Sequence, residues 1–491
     1  MNALIVLTLS LAGQAQQGAS TEAGEAPTVG PSRRAAPPEI FRSGLEAFYD
    51  ENYADAAARM YDYVSTNNDT VENRAWAKYF LAVSLEKLGF SHGAAEHLFD
   101  VAQDRTRPEL IPDALEAVER IMEGPHDEAL LDQRLLIDND FGYLPPDLAG
   151  FVRYHQGLAD LRAGRQRWAT RLFDAIPNRS TYAAQARYAL GVTELKRERE
   201  SEAVGYFRSA LAHPTATRPV RNLARLALAR VLYEREAYEG AHQLYSAVEV
   251  PALTAAEGEV LLERAWTAYG RRRYREAMGL LHALDAPSYR TLHAPEKFLL
   301  RALIFKRLCH YIPAKREVRR FRFAFEPTLD HIRRRSDLRE SVALRRAAVQ
   351  LDPSLGRLLA FREVLARELD RVDDVSDRWR ETGLDDDLGG MYVLAAARTD
   401  LQLAGSFAAA TRAAAEELIA FEEQMSLLDY EIGLAIYERL RGERARREED
   451  RPVDIPLVSA EAIYPFVDEY WNDELDRYDF LIENRCFGAE E

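Results

Sequence analysis

The sequence predicts an all-α chain built from stacked helical hairpins. Alanines recur in phase at Ala57, Ala94, Ala169, Ala203, Ala241, Ala277 and Ala314, at steps of 37, 75, 34, 38, 36 and 37. A large apolar residue follows each by four positions: Tyr61, Leu98, Phe173, Phe207, Tyr245, Leu281 and Val318. A small or apolar residue precedes each by twelve: Leu45, Ala82, Gly157, Gly191, Ala229, Ala265 and Ala302. Composition agrees, since 47% hydrophobic and 29% charged residues, with 26 Gly and 21 Pro in 491 residues, suit helices rather than short strands and turns. Two small residues facing each other let antiparallel helices approach closely, and the larger side chain plugs the next pair. A hairpin made this way cannot bury its apolar face alone, so the units must stack.

In chain order, residues 1–15, "MNALIVLTLSLAGQA", carry an apolar run of signal-peptide length, with cleavage expected after Ala15. The run is too short to span a bilayer, which takes ~20 residues, and no other segment is a transmembrane candidate. Residues 16–37 are small, polar and Pro-rich, and read as a disordered linker. Residues 38–325 hold the repeats: seven clear units and, inside the double step, a degenerate one at 103–146.

The unit "RYALGVTELKRERESEAVGYFRSALAHP", with Leu190, Gly191, Ala203, Phe207, Ala210 and Pro214, resembles the tetratricopeptide repeat (TPR) family. So does "LARLALARVLYEREAYEGAHQLYSAV", with Leu228, Ala229, Leu232, Ala241, Tyr245 and Val248. The periods run two to four residues over the family's usual ~34, which implies longer loops and leaves Sel1-type repeats as a second repeat class. The resemblance implies a right-handed superhelical solenoid whose first helices line a concave groove. Groove positions would then be Tyr154, Leu158 and Leu161; Tyr188, Val192 and Leu195; Leu226, Arg230 and Tyr233; Leu262, Trp266 and Tyr269; Leu299, Leu303 and Lys306. From this lining we take Tyr154, Tyr188, Arg230, Tyr233, Trp266 and Tyr269 as candidate partner-binding residues. A lining this apolar calls for an occupant. No Asn stands at these positions to clamp a terminal carboxylate, so the expected ligand is a helix or extended segment of a protein.

No catalytic constellation is present. "GFSHG", Gly89–Gly93, matches G-x-S-x-G literally, but a helical pattern precedes it where a nucleophile elbow needs a strand. His92 and His97 are five apart and point to different helix faces; His92 with Glu96 reads as a surface pair. Phosphate-loop, dinucleotide and Ca²⁺-loop motifs are missing, so no cofactor or metal is expected. The net charge of −16 disfavours nucleic acid as a partner. Cys309 and Cys486 form no C-x-x-C pair.

Residues 326–450 read as long C-terminal helices. Leu418, Phe421, Met425, Leu428, Ile432 and Ala435 form a stripe at steps of three and four that seeks another helix, a groove or a cap site. Residues 451–491 end in "YPFVDEYWNDELDRYDF", where Tyr464, Val467, Trp471, Leu475, Tyr478 and Ile482 predict a short anchor helix with Tyr464, Trp471 and Tyr478 as its aromatic contacts. Its acids fan around the helix and do not converge on a catalytic or metal site. Arg290–Arg346 has sixteen Lys/Arg against six Asp/Glu, and Tyr464–Glu491 has nine acids against two bases. Hence the tail is expected to dock on that basic region, where Cys309 and Cys486 would bond in an oxidising compartment. An acidic partner elsewhere in the chain would serve the basic stretch equally.

Two readings of function follow. One is a non-enzymatic protein–protein interaction scaffold, exported to the periplasm or cell envelope; the tail also resembles, more weakly, gliding-motility-associated envelope repeat proteins. The other is a cytoplasmic TPR regulator whose groove is controlled by its own C-terminal helices.

Overall fold

The computed structural model describes residues 39–66, 71–137, 141–372, 374, 377–443 and 469–486. The signal-peptide and linker segments, and Tyr464, lie outside them. Among the described residues all regular structure is helical. Eight hairpins follow one another: α1 (Glu39–Tyr49) with α2 (Tyr53–Thr66), α3 (Val71–Lys87) with α4 (Ser91–Gln103), α5 (Ile111–Met122) with α6 (Glu128–Ile137), and α7 (Pro146–Arg162) with α8 (Gln166–Asp174). Then come α9 (Tyr182–Leu195) with α10 (Glu200–Leu211), α11 (Arg218–Glu234) with α12 (Tyr238–Ser246), α13 (Ala255–Gly270) with α14 (Tyr274–Ala283), and α15 (Glu296–Arg307) with α16 (Tyr311–Arg333). Four α-helices follow among the described residues: α17 (Val342–Leu351), α18 (Pro353–Val372), α19 (Asp377–Thr382) and the 60-residue α20 (Leu384–Glu443).

The in-phase alanines sit where the helices of a pair touch. All seven are fully buried. The small residue opposite admits a ring: a Cβ on Gly157 would lie 2.4 Å from Phe173, and one on Gly191 2.5 Å from Phe207.

Seven of the eight hairpins turn in the same way. A residue two or three positions past the first helix takes a left-handed backbone: Glu51, Gly89, Gly164, Glu198, Glu236, Arg272 and Cys309, with φ between 55° and 80°. Its own N–H bonds the carbonyl three residues back, and the next N–H reaches back five, as in Gly89 to Glu86 (2.9 Å) and Phe90 to Leu85 (2.9 Å). The two bonds use the otherwise orphaned carbonyls at the helix end. Glycine takes this conformation without strain, yet it occupies only two of the seven positions, and each L-residue there costs about 1–2 kcal/mol.

The described residues divide into two compact units, each discontinuous in sequence. One takes its described residues from the chain up to Ala224 and from Asp352–Ser406; the other from Arg225–Leu351 and from Phe407 onward. This differs from a solenoid followed by separate C-terminal helices. In the first unit, Phe361, Leu365, Trp379, Leu388 and Tyr392 share one core with Phe41, Tyr63, Leu81 and Phe90. The Trp379 indole donates to the Ala54 carbonyl (2.8 Å). In the second unit, Leu418, Met425, Leu428 and Ile432 share a core with Phe298, Leu299, Ala302 and Phe321. The late helices are therefore core-forming elements of both units.

Two substitutions test the hairpin geometry by urea unfolding. Gly191→Ala forces a methyl against the Phe207 ring and should lower stability by about 1–3 kcal/mol. Glu236→Gly relieves a left-handed L-residue at an exposed turn and should raise stability by about 0.5 kcal/mol, the strain relieved less the backbone entropy of glycine.

Candidate functional site

In the first unit the sequence-derived groove residues are not a surface. Tyr154 and Tyr188 are buried, each 2% exposed. Tyr154 packs on Phe173 and Tyr182, with ring centroids 6.0 and 5.4 Å away, and Tyr188 packs on Phe207 at 5.6 Å. The correction has a simple cause. Each tyrosine stands three residues before the small residue of its helix, Gly157 or Gly191, and residues three apart share a helix face. That face turns into the hairpin.

The G-x-S-x-G segment is also structural. Phe90 offers no side-chain oxygen to cap α4. Glu368, from α18, supplies one, accepting the N–H of Ser91 (2.9 Å), the N–H of His92 (3.1 Å) and the hydroxyl of Tyr392 (2.8 Å). His92 is not the surface residue its sequence context suggests. It is buried against Phe361 and Tyr392, and burial holds its pKa below the usual histidine range. No group of three metal-ligating side chains exists among the described residues. No helix among them is long and apolar enough to cross a membrane.

In the second unit, Arg230, Tyr233, Trp266 and Tyr269 are half-buried. Tyr233 and Tyr269 pack on the tyrosines that open the partner helices, Tyr238 at 5.4 Å and Tyr274 at 5.8 Å. Arg230 pairs with Glu263 (Nε to carboxylate 3.0 Å). Trp266, one residue past Ala265, faces elsewhere: with Leu303 it packs against the core that Leu299 shares with the inner stripe of α20, and its indole donates to Glu296 (2.8 Å). The expected apolar lining thus has an occupant from the same chain.

Charge fixes the register of that occupant. Lys306 pairs with Glu431, and Arg333 with Glu422. Lys315 and Arg322 share Asp429, at 3.5 and 3.3 Å. The basic stretch Arg290–Arg346 is answered by the acids of α20. Three carboxylates on these surfaces sit above the usual range. Burial raises Glu417 to about 7, helped by repulsion from Glu296. Burial, then Glu263, raises Glu259 to about 7. Burial raises Glu296 against the hydrogen bond from Trp266.

Opposite the docked stripe, α20 carries a second one. Leu427, Tyr430, Leu434 and Tyr437, at steps of three, four and three, are 60, 71, 47 and 58% exposed.

The tail differs from its sequence reading. Among residues 469–486 the only helical turn is Leu475–Arg477; a turn at 472–474 leads into it and the rest has no regular secondary structure. The three–four spacing does not make a helix here because the backbone groups bond outside the segment. The N–H of Phe480 donates to the Arg275 carbonyl (3.1 Å), and that of Arg485 to the Leu308 carbonyl (3.0 Å). The imidazole of His310 bonds the Glu483 carbonyl (2.7 Å). Leu475 is the anchor, 2% exposed in the α13–α14 core, while Trp471 is 39% exposed and Tyr478 is half-buried. Arg264 holds the Asp476 carbonyl (3.1 Å) and carboxylate (3.4 Å). The seat is mainly α13 and α14. Only the last part of the tail meets the basic stretch, at Leu308–His310, where Cys309 and Cys486 are disulfide-bonded with Cα atoms 5.2 Å apart.

No family model and no curated protein matches the chain. Among solved structures, the chain is similar to the crystal structure of the apo form of RapI, at 12% identity and a TM-score of 0.33, over 75% of this chain and 98% of that one. A likeness this distant carries no argument about function.

Proposed function

We propose that the chain is a non-enzymatic protein–protein interaction scaffold that presents the outer stripe of α20 to a helix of a partner protein. One observation carries this. A helix whose inner stripe is docked and salt-bridged in register still exposes two leucines and two tyrosines at helix-pairing spacing. The rigid docking presents these side chains without ordering cost, which favours binding. The disulfide supports the exported, envelope-associated form of the reading, because such bonds persist in oxidising compartments.

The regulator reading is favoured by a different observation. The inner stripe of α20 shares one core with Leu299, on which Trp266 and Leu303 pack, and these are positions where a groove ligand would bind. In that reading α20 is a displaceable internal ligand.

The double substitution Leu434→Asp and Tyr437→Asp should cut recovery of cross-linked partner at least tenfold with the far-ultraviolet circular dichroism unchanged; unaltered recovery defeats the α20 surface. Fractionation of native cells tests export, with the protein expected outside the cytoplasm.

The pH response tests how α20 is held. Glu417 and Glu259 have folded pKa values raised above their unfolded ones, so their contribution is complete below the unfolded pKa and is lost as pH rises through about 7. Between pH 8 and 6.5 the second unit should become more stable as pH falls. Below that, the depressed His242, His282 and His293 oppose the trend, since the unfolded chain takes up their protons first. Glu417→Gln should flatten the pH 6.5–8 slope and add about 1 kcal/mol at pH 8, after allowance for screening.

A further inference from the structure

The tail is held as a peptide ligand is held. Beyond one helical turn it has no regular structure, it uses main-chain hydrogen bonds at Phe480, Glu483 and Arg485, and it buries Leu475 in a core on which Tyr470, Tyr478 and Ile482 also pack. Tyr470 stacks on His282 with centroids 5.3 Å apart. The backbone passes so close to α14 that a Cβ on Gly279 would sit 1.6 Å from the Tyr478 carbonyl oxygen. Gly279 is mid-helix, where glycine costs about 1 kcal/mol relative to alanine. The close approach explains it, and the cleft it makes is shaped for main chain.

Every one of these contacts is made by residues 470–486. Twenty-five residues, 444–468, separate Glu443 from Glu469, a contour of up to ~80 Å. The seat therefore reads the peptide, and the contacts it makes among the described residues would be the same for another copy's tail as for its own.

We propose that the α13–α15 face is a peptide site that takes residues 469–486 of a second copy of this chain as well as its own, and that the Cys309–Cys486 bond seals whichever tail is seated. Sealing is a two-electron oxidation. The two thiols lose two protons and two electrons to a small-molecule disulfide, which leaves as two thiols; one S–S bond forms for the one that breaks. The chain's own tail binds as a unimolecular step that dilution does not weaken, so it wins in dilute solution. The second copy's tail prevails when the resident tail is impaired or the protein is concentrated.

Two full-length variants test this. The acceptor carries Cys486→Ser and Leu475→Asp, which spoil its own tail and leave Cys309. The donor carries Cys309→Ser and keeps an intact tail with Cys486. Mixed and oxidised with glutathione disulfide, they should give a reductant-sensitive product of twice the 55.7 kDa chain mass, with the Cys309 peptide of one joined to the Cys486 peptide of the other. Adding Leu475→Asp to the donor alters only the tail and should lower the yield at least fivefold; Gly279→Leu in the acceptor should do the same. An undiminished yield with the altered donor overturns the proposal. So do products linked only between like chains, or no product under conditions that close the bond within the wild-type chain.

Discussion

In six of the eight helix pairs two small side chains set the separation of the helices, and the longer-range packing inherits that distance. At Gly191 the space is filled by Phe207, and at Gly157 by Phe173, so the repeat converts a missing side chain in one helix into a lodged ring from the next. The left-handed turn residue then returns the chain at a fixed angle, five residues before the buried alanine in six hairpins and six before it in the first. Because the turn is closed by carbonyls of the helix it terminates, it does not require glycine. That is why glutamate, arginine and cysteine can stand there at tolerable cost.

The hairpins were legible in the sequence because their signal is local and repeated. Ala203 and Gly191 are twelve residues apart, both are buried, and the space at Gly191 is taken by Phe207, four residues past Ala203. What long separation supplies was not legible. Glu368 caps α4 from 277 residues away, and nothing near Ser91 announces it. Tyr154 and Tyr188 were misread because a face assignment from period alone cannot say which of two apolar faces turns inward. The tail spacing of three and four residues was read as a helix, but its Asn and Asp residues favour that state weakly, and the carbonyls of Arg275 and Leu308 offer its N–H groups other partners.

Charge was legible in amount and misassigned in partner. The excess of arginine between residues 290 and 346 calls for acids, and both α20 and the tail have them. Geometry favours α20, where Glu422, Asp429 and Glu431 lie along the side of a helix already held by its apolar stripe. The tail is held instead by main-chain bonds and Leu475, with Asp476 meeting Arg264. Partly exposed ion pairs contribute little free energy singly, but a row of them selects register.

The first core joins Phe41 and Phe90 to Phe361, Leu388 and Tyr392. On a ribosome adding about 5–20 residues per second, roughly 300 residues must be made between the fourth helix and the last contributor to that core. For about 15–60 seconds the earliest hairpins stand with an apolar face that no later sequence has yet reached. A holding chaperone, or for an exported chain the unfolded passage across a membrane, would bridge that interval. The order of synthesis thus places the greatest demand for protection on the part of the molecule that is made first.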